Sequence, residues 1–100
     1  MAANVEGWVY TIHLHAPLGD PARSRMTAWH YTGWANADGL LARLLEHRSG
    51  RGSAMLAAAA AAGITWHLAA LERGTRARER QLKKHGAARR CPTCRSRRQR

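Results

Sequence analysis

Bulky aliphatic or aromatic residues alternate with other types from Trp8 to Leu14, in a run rich in the β-branched and aromatic residues that suit a pleated surface. It predicts a first strand. Residues 16–25 carry Pro17, Gly19, Asp20 and Pro21, each a breaker of regular structure through its own dihedral or hydrogen-bonding constraint, so the chain is expected to turn there. A second strand-like run at Thr27–Thr32 is expected to stop at Gly33, and the two strands pair most simply as an antiparallel hairpin.

The period then changes. Leu40, Leu41, Leu44 and Leu45 recur at the three-to-four spacing of one buried helical face, with Asn36 placed to cap the helix and Gly50 to end it. Arg43 and His47 lie four apart on a different face, and Asp38 sits near the positive end of the helix dipole. Ser53–Ala62 has strong helix propensity and little bulk and ends at Gly63. Ile64–Leu71 is read as a third strand, although its alternation is weak enough to fit a helix too. Thr75 can cap a last helix to about His85, with Ala77, Gln81 and Leu82 inward and Arg76, Arg80, Lys83 and Lys84 outward. The expected fold is α/β (α+β): a small three-stranded antiparallel sheet flanked by helices over residues 1–86. A basic tail at 87–100 is expected to be loosely ordered unless it binds a metal or nucleic acid.

A chain of 100 residues leaves room for one modest core and excludes a two-domain enzyme. Phe is absent, so that core rests on Leu, Val, Ile and four Trp. The formal charge of +11 is unevenly spread. Residues 1–72 balance, whereas 73–100 hold twelve of the 17 basic residues and a single acid, Glu79. Such a segment attracts polyanions in a salt-sensitive way, which points to nucleic acid as partner. No stretch approaches the roughly 18–20 apolar residues of a membrane span, so no membrane partner is expected. The first residues lack the basic start and apolar run of a secretory signal, which leads to the expectation of a cytoplasmic, reducing compartment.

Several short motifs occur in order: Val9-Tyr10, His30-Tyr31-Thr32-Gly33, Arg43 with His47, Gly50-Arg51-Gly52-Ser53, and Arg78 to Lys84 around Glu79. Together they resemble the GIY-YIG endonuclease family, in particular its short, stand-alone members, over about residues 8–85. The signatures read Trp8-Val9-Tyr10 for Gly-Ile-Tyr and Tyr31-Thr32-Gly33 for Tyr-Ile-Gly, and residues 87–90 offer no counterpart to the family's later Asn. The resemblance implies divalent-metal-dependent hydrolysis of DNA phosphodiester bonds, with Mg²⁺ or Mn²⁺ on Glu79. Tyr10 would be the general base with Tyr31 in support, Arg43 would bind the phosphate, and His47 would contact a phosphate oxygen, orient Tyr10 or relay a proton. Arg51, Arg76, Arg78, Arg80, Lys83 and Lys84 would contact the nucleic-acid backbone.

Each residue has a plainer reading beside this one. Tyr10 and Tyr31 could be strand tyrosines at the rim of a core, Arg43 and His47 a solvated helix face, and Glu79 a surface acid paired with Lys83. The same scaffold could then serve as a non-catalytic nucleic-acid-binding module. Cys91-Pro92-Thr93-Cys94 has the form of a zinc knuckle, but the sequence offers no evident second pair of ligands beyond His85. Free thiols or a degenerate site are therefore favoured over bound zinc. His13, His15, His30 and His67 lack the i, i+4 spacing of a helical metal pair and are taken as strand or loop residues, with His30 beside Tyr31 the foremost exception.

Overall fold

The computed structural model describes residues 5–19, 28–85 and 91–94. Strand β1 (Gly7–Leu18) is central in a three-stranded antiparallel sheet of order β2-β1-β3, with β2 (Ala28–Asn36) and β3 (Trp66–Gly74) at its edges. Helices α1 (Leu40–Arg48) and α2 (Ala54–Ala61) lie between β2 and β3 in sequence, and α3 (Arg76–His85) follows β3. The fold is thus a small α+β sheet-and-helix unit, and among the described residues no helix is long and apolar enough to cross a membrane.

Alternation along β1 assigns its two faces. Tyr10, Ile12 and Leu14 form the main core with Leu56 and Ala59 of α2 and with Trp66, while Val9 packs with Trp34 and Leu82 on the other face beneath α3. Ile12, Leu14 and Leu56 are wholly buried, each contributing about 1.5–3 kcal/mol relative to exposure.

The strand boundaries differ from the expected ones for local reasons. β1 runs on through Pro17, because its pairing with β3 ends at Leu14 and its pairing with β2 is irregular between His13 and Leu18, so the missing N–H of proline interrupts no regular ladder. Gly33 is inside β2, directly opposite Tyr10, where an added Cβ would overlap the Tyr10 ring and hydroxyl. It is the seat of that ring and no strand terminator. The rest of the expected turn, residues 20–25, and Thr27 at the head of the expected second strand lie outside the described residues.

The helices follow their caps more closely than their apolar stripes. Ser53 Oγ accepts from the Leu56 N–H at 3.3 Å and Thr75 Oγ1 from the Arg78 N–H at 3.3 Å, starting α2 and α3 where expected. Asn36, by contrast, ends β2; Gly39 is the N-cap of α1, without a side-chain hydrogen bond. The leucine stripe of α1 is split. Leu40 and Leu44 pack against the core, Leu41 and Leu45 are exposed, and the residue of α1 that is fully buried is His47. On α3, Leu82 faces inward as expected, but Ala77 and Gln81 are exposed and Arg78 and Glu79 are half-buried. Of the basic tail, only 91–94 is described: Cys91 is fully buried and Cys94 half-buried, both against the sheet.

Candidate functional site

Five side chains separated by up to 69 positions meet where α1 and α3 flank the outer edge of β2. Tyr10 reaches across Gly33, and its hydroxyl lies 2.7 Å from His47 Nε2. The Tyr31 ring packs edge-on to His47 with centroids 5.3 Å apart and lies 6.3 Å from the Tyr10 ring. Arg43, one turn before His47 on α1, is held by Glu46 Oε2 at 3.2 Å and the Gly52 carbonyl at 3.1 Å, and its charge acts on Tyr10. Across from them on α3 stands Glu79, its carboxylate largely buried and 3.4 Å from Lys83 Nζ.

Three of the five, Tyr31, Arg43 and Glu79, line an open cleft of about 550 Å³ together with Glu46, Arg76 and Lys83 and with Trp34 and Asn36 of β2. Tyr10 and His47 are not on its wall. Both are fully buried, behind Tyr31 and Arg43.

The direction of the Tyr10–His47 hydrogen bond follows the imidazole tautomer: with the proton on Nδ1 the Tyr10 hydroxyl donates to Nε2, and with the proton on Nε2 the phenol oxygen accepts. The Tyr10 phenol is pushed up to about 12, first by burial, then by the Tyr31 and Glu79 charges, with Arg43 opposing. Burial and the Arg43 charge hold His47 below its ordinary value, while the Arg51 backbone and Glu46 pull the other way. Arg43 must overcome desolvation, and its interaction with Tyr10 and the Tyr31 and Glu46 charges keep its pKa above the usual value. At neutral pH the trio is therefore a charged guanidinium, a neutral phenol and a neutral imidazole. His47 Nδ1 is buried and has no hydrogen-bond partner among the described residues.

The basic residues named from the sequence fall into three groups. Arg76 and Lys83 line the cleft, Arg76 stacked over Trp34 at 4.5 Å and Lys83 above the Tyr31 ring at 5.9 Å. Arg51, Arg80 and Lys84 are exposed outside its wall. Arg78 turns toward β3, bonding Glu72 at 3.2 Å and Gln81 at 2.8 Å, which makes it a brace for α3.

A second constellation occupies the opposite sheet face. His13 and His30 are direct cross-strand partners, and Cys91 and Cys94 lie against them. One donor atom from each of the four falls within 4.8 Å of the others, a set that can hold a metal ion. This corrects the expectation of a cysteine pair without a second ligand pair, and of His13 as an ordinary strand residue. The His85 side chain lies outside the described residues.

No family model, curated protein or solved structure matches this chain. Its chemistry rests on the residues themselves. Sequence reasoning missed Glu46, Trp34 and Asn36 as cleft residues; only the adjacency of Glu46 to Arg43 on one helix face could have suggested the first.

Proposed function

We propose that the cleft hydrolyses phosphodiester bonds of DNA, with GIY-YIG-like chemistry carried by Tyr10, Tyr31, Arg43, His47 and Glu79. The observation that supports this most is that a guanidinium and a largely buried carboxylate share one cationic, open cleft, with the hydrogen-bonded Tyr10–His47 pair buried directly behind its wall. A sugar-phosphate strand would meet Arg76 and Lys83 on one side and Arg43 on the other. Arg43 would trade Glu46 and Gly52 for a phosphate oxygen, since its rigid fork suits bidentate anion binding. That exchange would also open Tyr10 to water.

The raised Tyr10 pKa argues against a resting phenolate as base. Instead, the Tyr10 oxygen takes a proton from the attacking water as its own passes to His47 Nε2, 2.7 Å away, the neutral imidazole acting in its Nδ1–H tautomer. Water oxygen joins phosphorus and the P–O bond to the leaving strand breaks; the departing oxygen takes up a proton from solvent, and His47 returns the one it received to solvent, so the hydroxyl product forms and the site is reset. Tyr31 supports by fixing the imidazole ring edge-on. Glu79 fits a hard divalent cation: it is an oxygen donor on the wall of an open cleft, and a single carboxylate with waters and substrate phosphate suffices for Mg²⁺ or Mn²⁺. When bound there, such an ion would stabilise charge building on the phosphoryl and leaving oxygens.

A second reading has its own support. Tyr10 and His47 are both fully buried, as in a module that binds nucleic acid without cutting it. Incubating the purified protein with linear, nicked and branched DNA separates the two, with and without Mg²⁺ or Mn²⁺. Metal-dependent cleavage of any of them is the expected result. Retention of DNA in a gel-shift assay, with no cutting under either metal, would replace the enzyme with the binding module.

A further inference from the structure

We propose that His13, His30, Cys91 and Cys94 form a tetrahedral zinc site that fastens the C-terminal segment to the sheet. The four residues come from β1, β2 and a segment 78 positions from His13, and nothing in the cleft chemistry requires them to meet.

Their contacts are hard to satisfy without a shared cation. His13 Nδ1 lies 3.1 Å from His30 Nε2, 3.4 Å from Cys91 Sγ and 3.7 Å from Cys94 Sγ, and His30 Nε2 lies 3.3 Å from Cys94 Sγ. A ring nitrogen has one proton or one lone pair in that plane, so His13 Nδ1 can satisfy one of these neighbours by hydrogen bonding and not three. Four donors around one metal need no such choice. Zn–S bonds of about 2.3 Å and Zn–N bonds of about 2.0–2.1 Å make tetrahedron edges of roughly 3.3–3.8 Å, and the observed spacings fall around that range.

The donor set selects the ion. Two thiolates and two imidazoles suit zinc, whereas Mg²⁺ prefers oxygen ligands. Two thiolates would also cancel the ion's charge in a place where Cys91 is wholly buried and His13 nearly so. Full protein coordination and burial mark the site as structural, with no position left open for substrate.

The surrounding structure is arranged for it. Residues 92–94 form a short helical turn that brings both sulfurs to one side, and Thr93 Oγ1 is 3.1 Å from His67 Nε2, tying the same turn to β3. His67 in turn meets His15 at 2.9 Å. The β1–β2 ladder loses its regular register immediately after His13, giving the segment room to approach the strands. A domain of this size, with a core lacking Phe, gains much from one such staple.

Metal analysis of the full chain, purified and reconstituted with zinc under reducing conditions, tests the site. The expected result is one zinc per chain. Replacement by Co²⁺ should give the intense visible bands of a tetrahedral centre with a sulfur-to-metal charge-transfer band. Cys94→Ser and His30→Ala should each weaken zinc binding by more than the roughly 10–100-fold seen for residues that merely orient a ligand. His30→Cys should restore it. Should Cys94→Ser not fold, the half-exposed His30 series and the Co²⁺ spectrum of the parent decide the matter. Failure of the parent to take up zinc, a Co²⁺ spectrum without the sulfur band, or parental zinc affinity in His30→Ala would overturn the proposal. All of these readings are independent of whether the cleft cuts DNA.

Discussion

At the level of single side chains, Gly33 and Tyr10 are the most tightly linked pair. The ring occupies the space a Cβ would take, so Gly33→Ala should displace the Tyr10 hydroxyl from His47 and cost about 1–3 kcal/mol, as overpacking does, measured by urea denaturation. A change within error of zero would show that the ring is not seated there. His47 adds a pH dependence. Facing it are Tyr10 and Tyr31 from the sheet, Arg43 and Glu46 from its own helix, and Arg51 from the following loop. Its folded pKa is lowered, so the unfolded chain takes up the proton first as pH falls. The stability it contributes is full above about pH 6.5 and declines as pH drops below that toward the folded-state value. Removing the group in His47→Gln should flatten this part of the stability–pH profile; an unchanged slope would mean that His47 is not buried neutral.

Among the elements, α1 offers the sharpest contrast between apolar pattern and actual orientation. Leu41 and Leu45 are exposed, so Leu41→Lys should change stability by no more than about 0.5 kcal/mol, whereas Leu56→Ala on α2 should cost about 2–5 kcal/mol. Comparable losses in the two variants would mean that α1 is rotated from its described position. The apolar spacing alone could not reveal this rotation, because the polar pair Arg43 and His47 turns inward to meet Tyr10. That partner comes from a strand over thirty residues earlier. Elements with explicit local signals were legible: the alternation of β1, the Ser53 cap with Gly63 beyond α2, and the Thr75 cap of α3. The knuckle form of Cys91 to Cys94 was legible too. Its partners were not, since His13 and His30 become neighbours only through the register of β1 on β2, which alternation does not specify.

Over the whole molecule, the excess positive charge is concentrated in the last quarter of the sequence, but its members differ in what they face. Arg76 and Lys83 line the cleft, so replacing either with Ala should weaken DNA binding across sequences and reduce the salt dependence by about one released counterion. Arg78→Ala should instead lower stability, with little effect on that slope, because its guanidinium bridges Glu72 and Gln81. Equal salt slopes for the parent and both cleft variants would place the nucleic-acid path elsewhere.

The proposed hydrolysis requires the buried phenol and the carboxylate across the cleft to act on one bound phosphate. Single-turnover cleavage with saturating enzyme and Mg²⁺ compares the parent with Tyr10→Phe and Glu79→Gln at matched DNA occupancy. The account predicts that the parent cuts and that each variant is slower by at least about 10²-fold while still binding DNA. Parental rates in either variant, or no cutting by the parent, would contradict it.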